Sequence, residues 1–185
     1  MFISQTEIRK KTDRTMIHLI IGTPDSGKSA LAEDIVSDLA SGRNKYYLAT
    51  MIPYGTEGEE RVARHRSMRS GKGFITVEMP FDIGKASLPE DCAVLLECVS
   101  NLAANELFER NTPADKCEDI IVSDIIRLGN SVRDLVIVTN HFDITDEFNA
   151  ETVKYSFMMD RINHRLCVIA DKVTDLTVRA DRQDT

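Results

Sequence analysis

The sequence predicts an α/β fold with a mostly parallel central sheet, and three observations carry that expectation. Short β-rich apolar runs recur along the chain: IHLII at 17–21, KYYLA at 45–49, AVLLE at 93–97 and LVIVT at 135–139. Each is followed after a few residues by a stretch with helical periodicity, the alternation that βαβ crossovers require. The runs are close to uniformly apolar, as in strands covered by helices on both faces of a sheet.

The elements follow in order. Residues 1–15, MFISQTEIRKKTDRT, are polar and mildly basic and read as a mobile extension ahead of the first strand. Helices are expected at Lys28–Leu39, Glu59–Met68, Leu102–Glu109, Lys116–Leu128 and Ala150–Ile169. FITVE at 74–78 and KVTDLTV at 172–178 add two more strands. The stretches near 53–58 and 141–149 are irregular, and in an open α/β sheet such loops at strand C-termini carry ligands. No repeat, low-complexity tract or Pro/Gly-rich linker divides the chain, so residues 16–185 read as a single domain.

Composition narrows the function. With 185 residues, 42% apolar and 29% charged, the chain suits one complete hydrophobic core. A formal net charge of −7 argues against nucleic acid as a partner, since non-specific phosphate attraction needs a basic face. Cys92, Cys98, Cys117 and Cys167 show no C-x-x-C pair or metal-ligand spacing, and no signal-peptide core precedes them; reduced thiols in the cytoplasm are expected. No apolar run approaches the roughly 20 residues of a membrane span.

The most specific motif is GTPDSGKS, comprising Gly22, Thr23, Pro24, Asp25, Ser26, Gly27, Lys28 and Ser29. It fits G-x-x-x-x-G-K-[ST] with a strand directly before it and a helix directly after it, and it sharpens the fold expectation to a three-layer P-loop NTPase-type architecture. The glycines let successive N–H groups turn toward phosphate oxygens at the positive end of the helix. Lys28 then reaches the β- and γ-phosphates, and the Ser29 hydroxyl is placed to ligate Mg²⁺. Glu97, ending an apolar strand at the same sheet edge, is the candidate acid for the metal or the nucleotide; as a strand-end carboxylate it also reads as a group facing water. Asp25 reads as a turn residue.

A second concentration of charge lies in EERVARHRSMR, where Arg61, Arg64, Arg66 and Arg69 surround His65. On a helix Arg61, His65 and Arg69 share one face. Neighbouring guanidinium groups disfavour the imidazolium, which leaves the ring a lone pair for nucleophilic attack, and the same arginines offset charge on a phosphate. The same pattern also suits a solvated histidine on a basic helix.

The order of motifs adds to this. The phosphate loop, YYLAT, R-V-x-x-H-R-x-x-R, ITVE, LLEC with Asn105, VTN, a late N-x-R-L and AD-x-V together resemble the bifunctional adenosylcobinamide kinase/adenosylcobinamide-phosphate guanylyltransferase family of cobalamin biosynthesis over residues 17–178. The resemblance implies an enzyme that phosphorylates the aminopropanol hydroxyl of adenosylcobinamide and then transfers GMP from GTP through a guanylylated histidine. It implies GTP and ATP as substrates, Mg²⁺ as cofactor, a small-molecule acceptor and a homo-oligomer, a trimer. It assigns the covalent histidine to His65 and nucleotide contacts to the loop, to Thr50, Met51 and Ile52, to Arg66, Ser67, Met68 and Arg69, and to Glu78 and Glu97. One segment departs from the family pattern: N-E-V-G, a G-x-V-P turn and R-x-F-R-D are replaced by NHFDITDEFN and KYSFMMD, while Asn140, Asn163 and Asp171 remain. Two other readings fit the same residues: a P-loop kinase for another small molecule, and a nucleotide-binding paralogue that has lost corrinoid transfer.

Overall fold

A computed structural model of the chain describes residues 16–143, 145 and 149–177. The expected N-terminal extension, with Asp146 and Glu147, lies outside the described residues. Six parallel strands form one sheet in the order β3-β2-β4-β5-β1-β6. They are β1 Met16–Gly22, β2 Lys45–Ala49, β3 Phe74–Glu78, β4 Ala93–Glu97, β5 Asp134–Asn140 and β6 Lys172–Leu176.

The apolar runs occupy the middle of the sheet. In β1, β4 and β5 nearly every residue is buried, because helices cover both faces. The less uniform runs become the two edges, where no side chain of β3 or β6 is fully buried. On one face α1 (Lys28–Ala40) packs Ala32, Val36 and Ala40 against Ile20, Leu95, Val136 and Val138. On the other, α3 (Val99–Ala104), α4 (Ala114–Ser131) and α5 (Ala150–Ile169) close over Ile17, Leu19, Leu135 and Ile137. α5 begins where the Asn149 side chain accepts from the Thr152 N–H at 2.8 Å, an N-cap that fixes its start.

Three helix starts differ from expectation. The second helix, α2, runs Gly55–Arg69 and takes in four residues that read as loop, since its first turn, GTEG, has two glycines and a threonine. Helix α4 starts two residues early because Lys116 and Cys117 donate their N–H groups to the Pro113 carbonyl. The expected helix at 102–109 begins at Val99 as α3 and passes at Asn105 into a π-helical turn through Glu109.

Strand order decides which residues meet. β5 separates the phosphate-loop strand β1 from β4, so the β4 end carrying Glu97 stands two strands away from Gly22. β2 lies between β4 and β3, which brings the Ala49, Glu78 and Glu97 ends to one edge in register. All six strands being parallel, their C-terminal ends share that edge with the loop.

Candidate active site

A cleft of about 690 Å³ runs along this edge. One wall is the loop from β1 to α1. A Cβ at Gly22 would crowd the Ser26 hydroxyl and force it to turn, and Gly27, with φ of 81°, turns the chain into α1 through the left-handed region. Lys28 lines the cleft, with its ammonium donating to the Thr23 carbonyl at 2.8 Å. Burial lowers its pKa, opposed by the nearby Cys98, Glu97 and Asp25.

Ser29, on the first turn of α1, donates its hydroxyl to Glu97 Oε1 at 2.5 Å. Glu97 Oε2 is buried with no hydrogen-bond partner among the described residues. A serine hydroxyl beside a carboxylate oxygen with spare acceptor capacity, at the start of a helix, is a donor set that fits a hard divalent cation completed by phosphate and water oxygens.

The opposite wall is built from α2 and β3. Arg64, Arg66 and Arg69 line it with Glu59, Val62, Ala63, Thr76 and Glu78. Arg66 forms an ion pair with Glu78, so two expected nucleotide contacts answer each other. Arg69 differs. It is 7% exposed, its guanidinium lies 3.5 Å over the Tyr47 ring, and its Nε and Nη1 have no hydrogen-bond partner among the described residues. A buried cation with unused donors is costly unless an anion completes it.

The floor is a polar network at the ends of β4 and β5. Asn140 donates to the Ser100 hydroxyl at 2.5 Å, and that hydroxyl lies 3.0 Å from Cys98 Sγ. Burial pushes the Cys98 thiol pKa up and keeps it protonated. Asn163, on α5, accepts from Thr139 at 2.7 Å and donates to the Asn140 carbonyl at 3.0 Å, fixing the tip of β5. Asn105 donates to the Thr50 and Pro80 carbonyls at 2.8 and 2.9 Å.

Nine of the expected site side chains line this cleft: Pro24, Asp25, Lys28, Ser29, Met51, Arg66, Arg69, Glu78 and Glu97. Thr50 is corrected. Its side chain is fully buried beneath the floor, its hydroxyl accepting from the Cys98 N–H at 2.7 Å and lying within 3.0 Å of the Glu97 and Cys98 carbonyls. It braces the end of β4 instead of facing a ligand. Gly22, Thr23, Ser26 and Gly27 shape the loop without lining the cleft, and Ile52 and Ser67 lie off it. His65 and Met68 sit on the backbone of α2, His65 one turn before Arg69; their side chains lie outside the described residues. Asp171 accepts from the Ile17 N–H at 2.7 Å, at the opposite edge of the sheet. Tyr47 and Thr76, within YYLAT and ITVE but assigned no ligand contact there, also line the cleft, as does Asn101, which belongs to no motif read in the sequence.

Past β5, His141 faces two carboxylates, Asp143 at 3.3 Å and Asp160 at 3.4 Å. Arg161, on α5, is held by Glu118 of α4 at 2.6 Å. Of the remaining histidines, His18 is buried in β1 with Nε2 2.8 Å from the Thr174 hydroxyl, while His164 lies exposed on α5.

A sequence profile described as cobinamide kinase / cobinamide phosphate guanyltransferase matches residues 18–178. No curated protein sequence matches the chain. A solved structure described as an ATPase domain superposes with a TM-score of 0.54 at 11% identity, covering 92% of this chain and 72% of that one; this likeness shows the fold alone. The flagellar accessory protein FlaH from Methanocaldococcus jannaschii superposes with a TM-score of 0.47 at 13% identity, covering 92% of this chain and 74% of its own. A KaiC-like protein from Pyrococcus horikoshii gives 0.49 at 13% identity, covering 92% and 75%.

Proposed function

The chain belongs to the cobinamide kinase / cobinamide phosphate guanyltransferase family, and from that premise we propose a division of labour among its own residues. The family's members are transferases of cobalamin biosynthesis, with kinase and guanylyltransferase activity on one chain. The observation that carries the proposal is the cleft itself, with a phosphate loop on one wall and the unpartnered Arg69 donors on the other.

The triphosphate of ATP or GTP lies between these walls. Loop N–H groups and Lys28 hold the β- and γ-phosphates, and on binding Lys28 exchanges the Thr23 carbonyl for phosphate oxygen. Arg69 supplies N–H donors to the phosphates from the other side, and Arg64 adds charge at the mouth. Ser29 and Glu97 are the residues that would hold Mg²⁺, which screens phosphate charge and orients the leaving group.

In the kinase step the acceptor hydroxyl attacks the γ-phosphorus and the nucleoside diphosphate leaves. In the guanylyl step a His65 ring nitrogen attacks the α-phosphorus of GTP: a P–N bond forms, the bond to the β-phosphate oxygen breaks, and pyrophosphate departs with the electron pair. The phosphate oxygen of the acceptor then displaces the histidine. The corrinoid as acceptor, the trimeric assembly and a cytosolic site of action follow from family resemblance and belong to the same proposal.

Intact mass spectrometry after incubation with GTP and Mg²⁺ tests this reading. A gain of one GMP that is stable in base, labile in acid and absent from His65→Ala is expected. A persistent adduct in His65→Ala moves the nucleophile elsewhere, and no adduct at all favours a P-loop kinase without the guanylyl step.

A further inference from the structure

Tyr47 joins the two walls. β2 pairs with β4 so that Tyr47 faces Leu95 and Ala49 faces Glu97, which sets Tyr47 diagonally beside Glu97 on the same face of adjacent strands. Its side chain is nearly buried, and its ring lies beneath the Arg69 guanidinium. Its hydroxyl lies against the Glu97 carboxylate, to which a phenol O–H can only donate. A phenylalanine would stack as well beneath an arginine without burying a hydroxyl, and a buried hydroxyl is costly unless bonded.

We infer that Tyr47 is a positioning residue with two separable duties: its ring face holds the Arg69 guanidinium in the cleft, and its hydroxyl orients the Glu97 carboxylate beside Ser29. Among the described residues no hydrogen bond fixes Nε or Nη1 of the Arg69 fork, and a free arginine side chain loses rotamer freedom when it binds. Stacking removes that freedom before the nucleotide arrives, so the donors are preorganised. The carboxylate requires the same treatment, since Ser29 occupies one of its oxygens and the other must point at the cation. The inference rests on the nucleotide-transfer reading above, and it goes beyond that reading by giving a role to a residue that the resemblance assigns no contact.

Two variants separate the duties, and no acceptor enters the assay, so failure of corrinoid transfer does not touch the result. Tyr47→Phe keeps the ring and removes the hydroxyl. Calorimetry in EDTA should give GTP affinity within about twofold of the parent, while the Mg²⁺ concentration that half-maximally strengthens GTP binding should rise roughly tenfold, the loss of one hydrogen bond to a charged group. Tyr47→Met keeps much of the volume and removes the ring. It should weaken GTP binding in EDTA roughly fivefold or more, the loss of a desolvated cation–π contact. That loss should vanish when Arg69→Lys is already present, as a double-mutant cycle requires of coupled residues. Equal effects of Tyr47→Phe and Tyr47→Met on both readouts, tracking a fall in melting temperature, would reduce Tyr47 to a packing residue. An unchanged Mg²⁺ requirement in Tyr47→Phe would overturn the hydroxyl's role even if Tyr47→Met fails to fold.

Discussion

Ser29 and Glu97 are separated by 68 residues and meet at 2.5 Å, hydroxyl to carboxylate, across the start of α1 and the end of β4. The contact ties the phosphate loop to a strand that is not its neighbour in the sheet, because β5 lies between them. Glu97→Gln retains an acceptor for Ser29 and removes one negative charge from the cleft. The variant should fold normally and bind nucleotide in EDTA as tightly as the parent or more tightly, since a like charge has left the phosphates. Mg²⁺-dependent transfer should fall by roughly a hundredfold or more, the scale of losing a metal-positioning carboxylate. Initial rates against Mg²⁺ concentration check both halves, and a fully active Glu97→Gln would remove Glu97 from the metal site.

Arg69 opposes stability to function. A guanidinium at 7% exposure with two nitrogens lacking partners among the described residues is a poorly compensated buried charge, stacked on the Tyr47 ring. Arg69→Met should therefore leave the melting temperature unchanged or raise it, a gain typical of relieving a strained site. GTP affinity should fall by roughly ten- to a hundredfold, the range for one or two hydrogen bonds to a charged phosphate. A destabilised variant with intact affinity would make Arg69 structural.

His18 gives a pH signature unrelated to the cleft. Burial, then the nearby Lys172, lowers its pKa in the folded protein, so the native ring is neutral and bonded to Thr174. On unfolding the ring regains its ordinary value of 6.5 and takes up a proton at lower pH. The unfolded state then binds more protons, so stability from this group is present above about pH 6.5 and is lost as pH falls below it. Urea unfolding at several values between pH 7 and 5 should show declining stability, and His18→Gln, which keeps a partner for Thr174, should flatten that slope. An equal slope in both proteins would locate the pH dependence elsewhere.

Much of this architecture was legible because it is written locally. GTPDSGKS carries its own geometry, and the central strands announce themselves as uniformly apolar runs. The rest depends on which strands become neighbours. Tyr47 reads in sequence as one more aromatic of a β run, and only the pairing of β2 with β4 sets it beside Glu97. Thr50 sits one residue past the same strand and matches a nucleotide contact by resemblance, yet the pleat turns its hydroxyl under the floor to the Cys98 backbone. Arg69 and Arg66 look alike on a basic helix; the burial of one and the pairing of the other with Glu78 follow from where β3 lies. Asp171 and Asn163 match one C-terminal pattern, but α5 and β6 carry them to opposite edges of the sheet.

The segment after β5 sets the last prediction. There the family pattern of glycine and proline gives way to NHFDITDEFN, which adds carboxylates where a phosphorylated acceptor must approach. Arg161 is committed to Glu118, and His141 already faces both Asp143 and Asp160. Negative charge at this edge repels a phosphate monoester more than it repels nucleotide, whose phosphates lie in the loop and against Arg69. Self-guanylylation should thus survive better than transfer: the GMP adduct on His65 should form readily with GTP and Mg²⁺ and discharge slowly to adenosylcobinamide phosphate. Asp143→Asn should speed that discharge by roughly threefold or more, and added salt should speed it too, because screening weakens repulsion between exposed charges. A chase of α-labelled protein with the acceptor measures both. Immediate and complete loss of label in the parent, with no response to Asp143→Asn or to salt, would mean that this edge does not govern the acceptor.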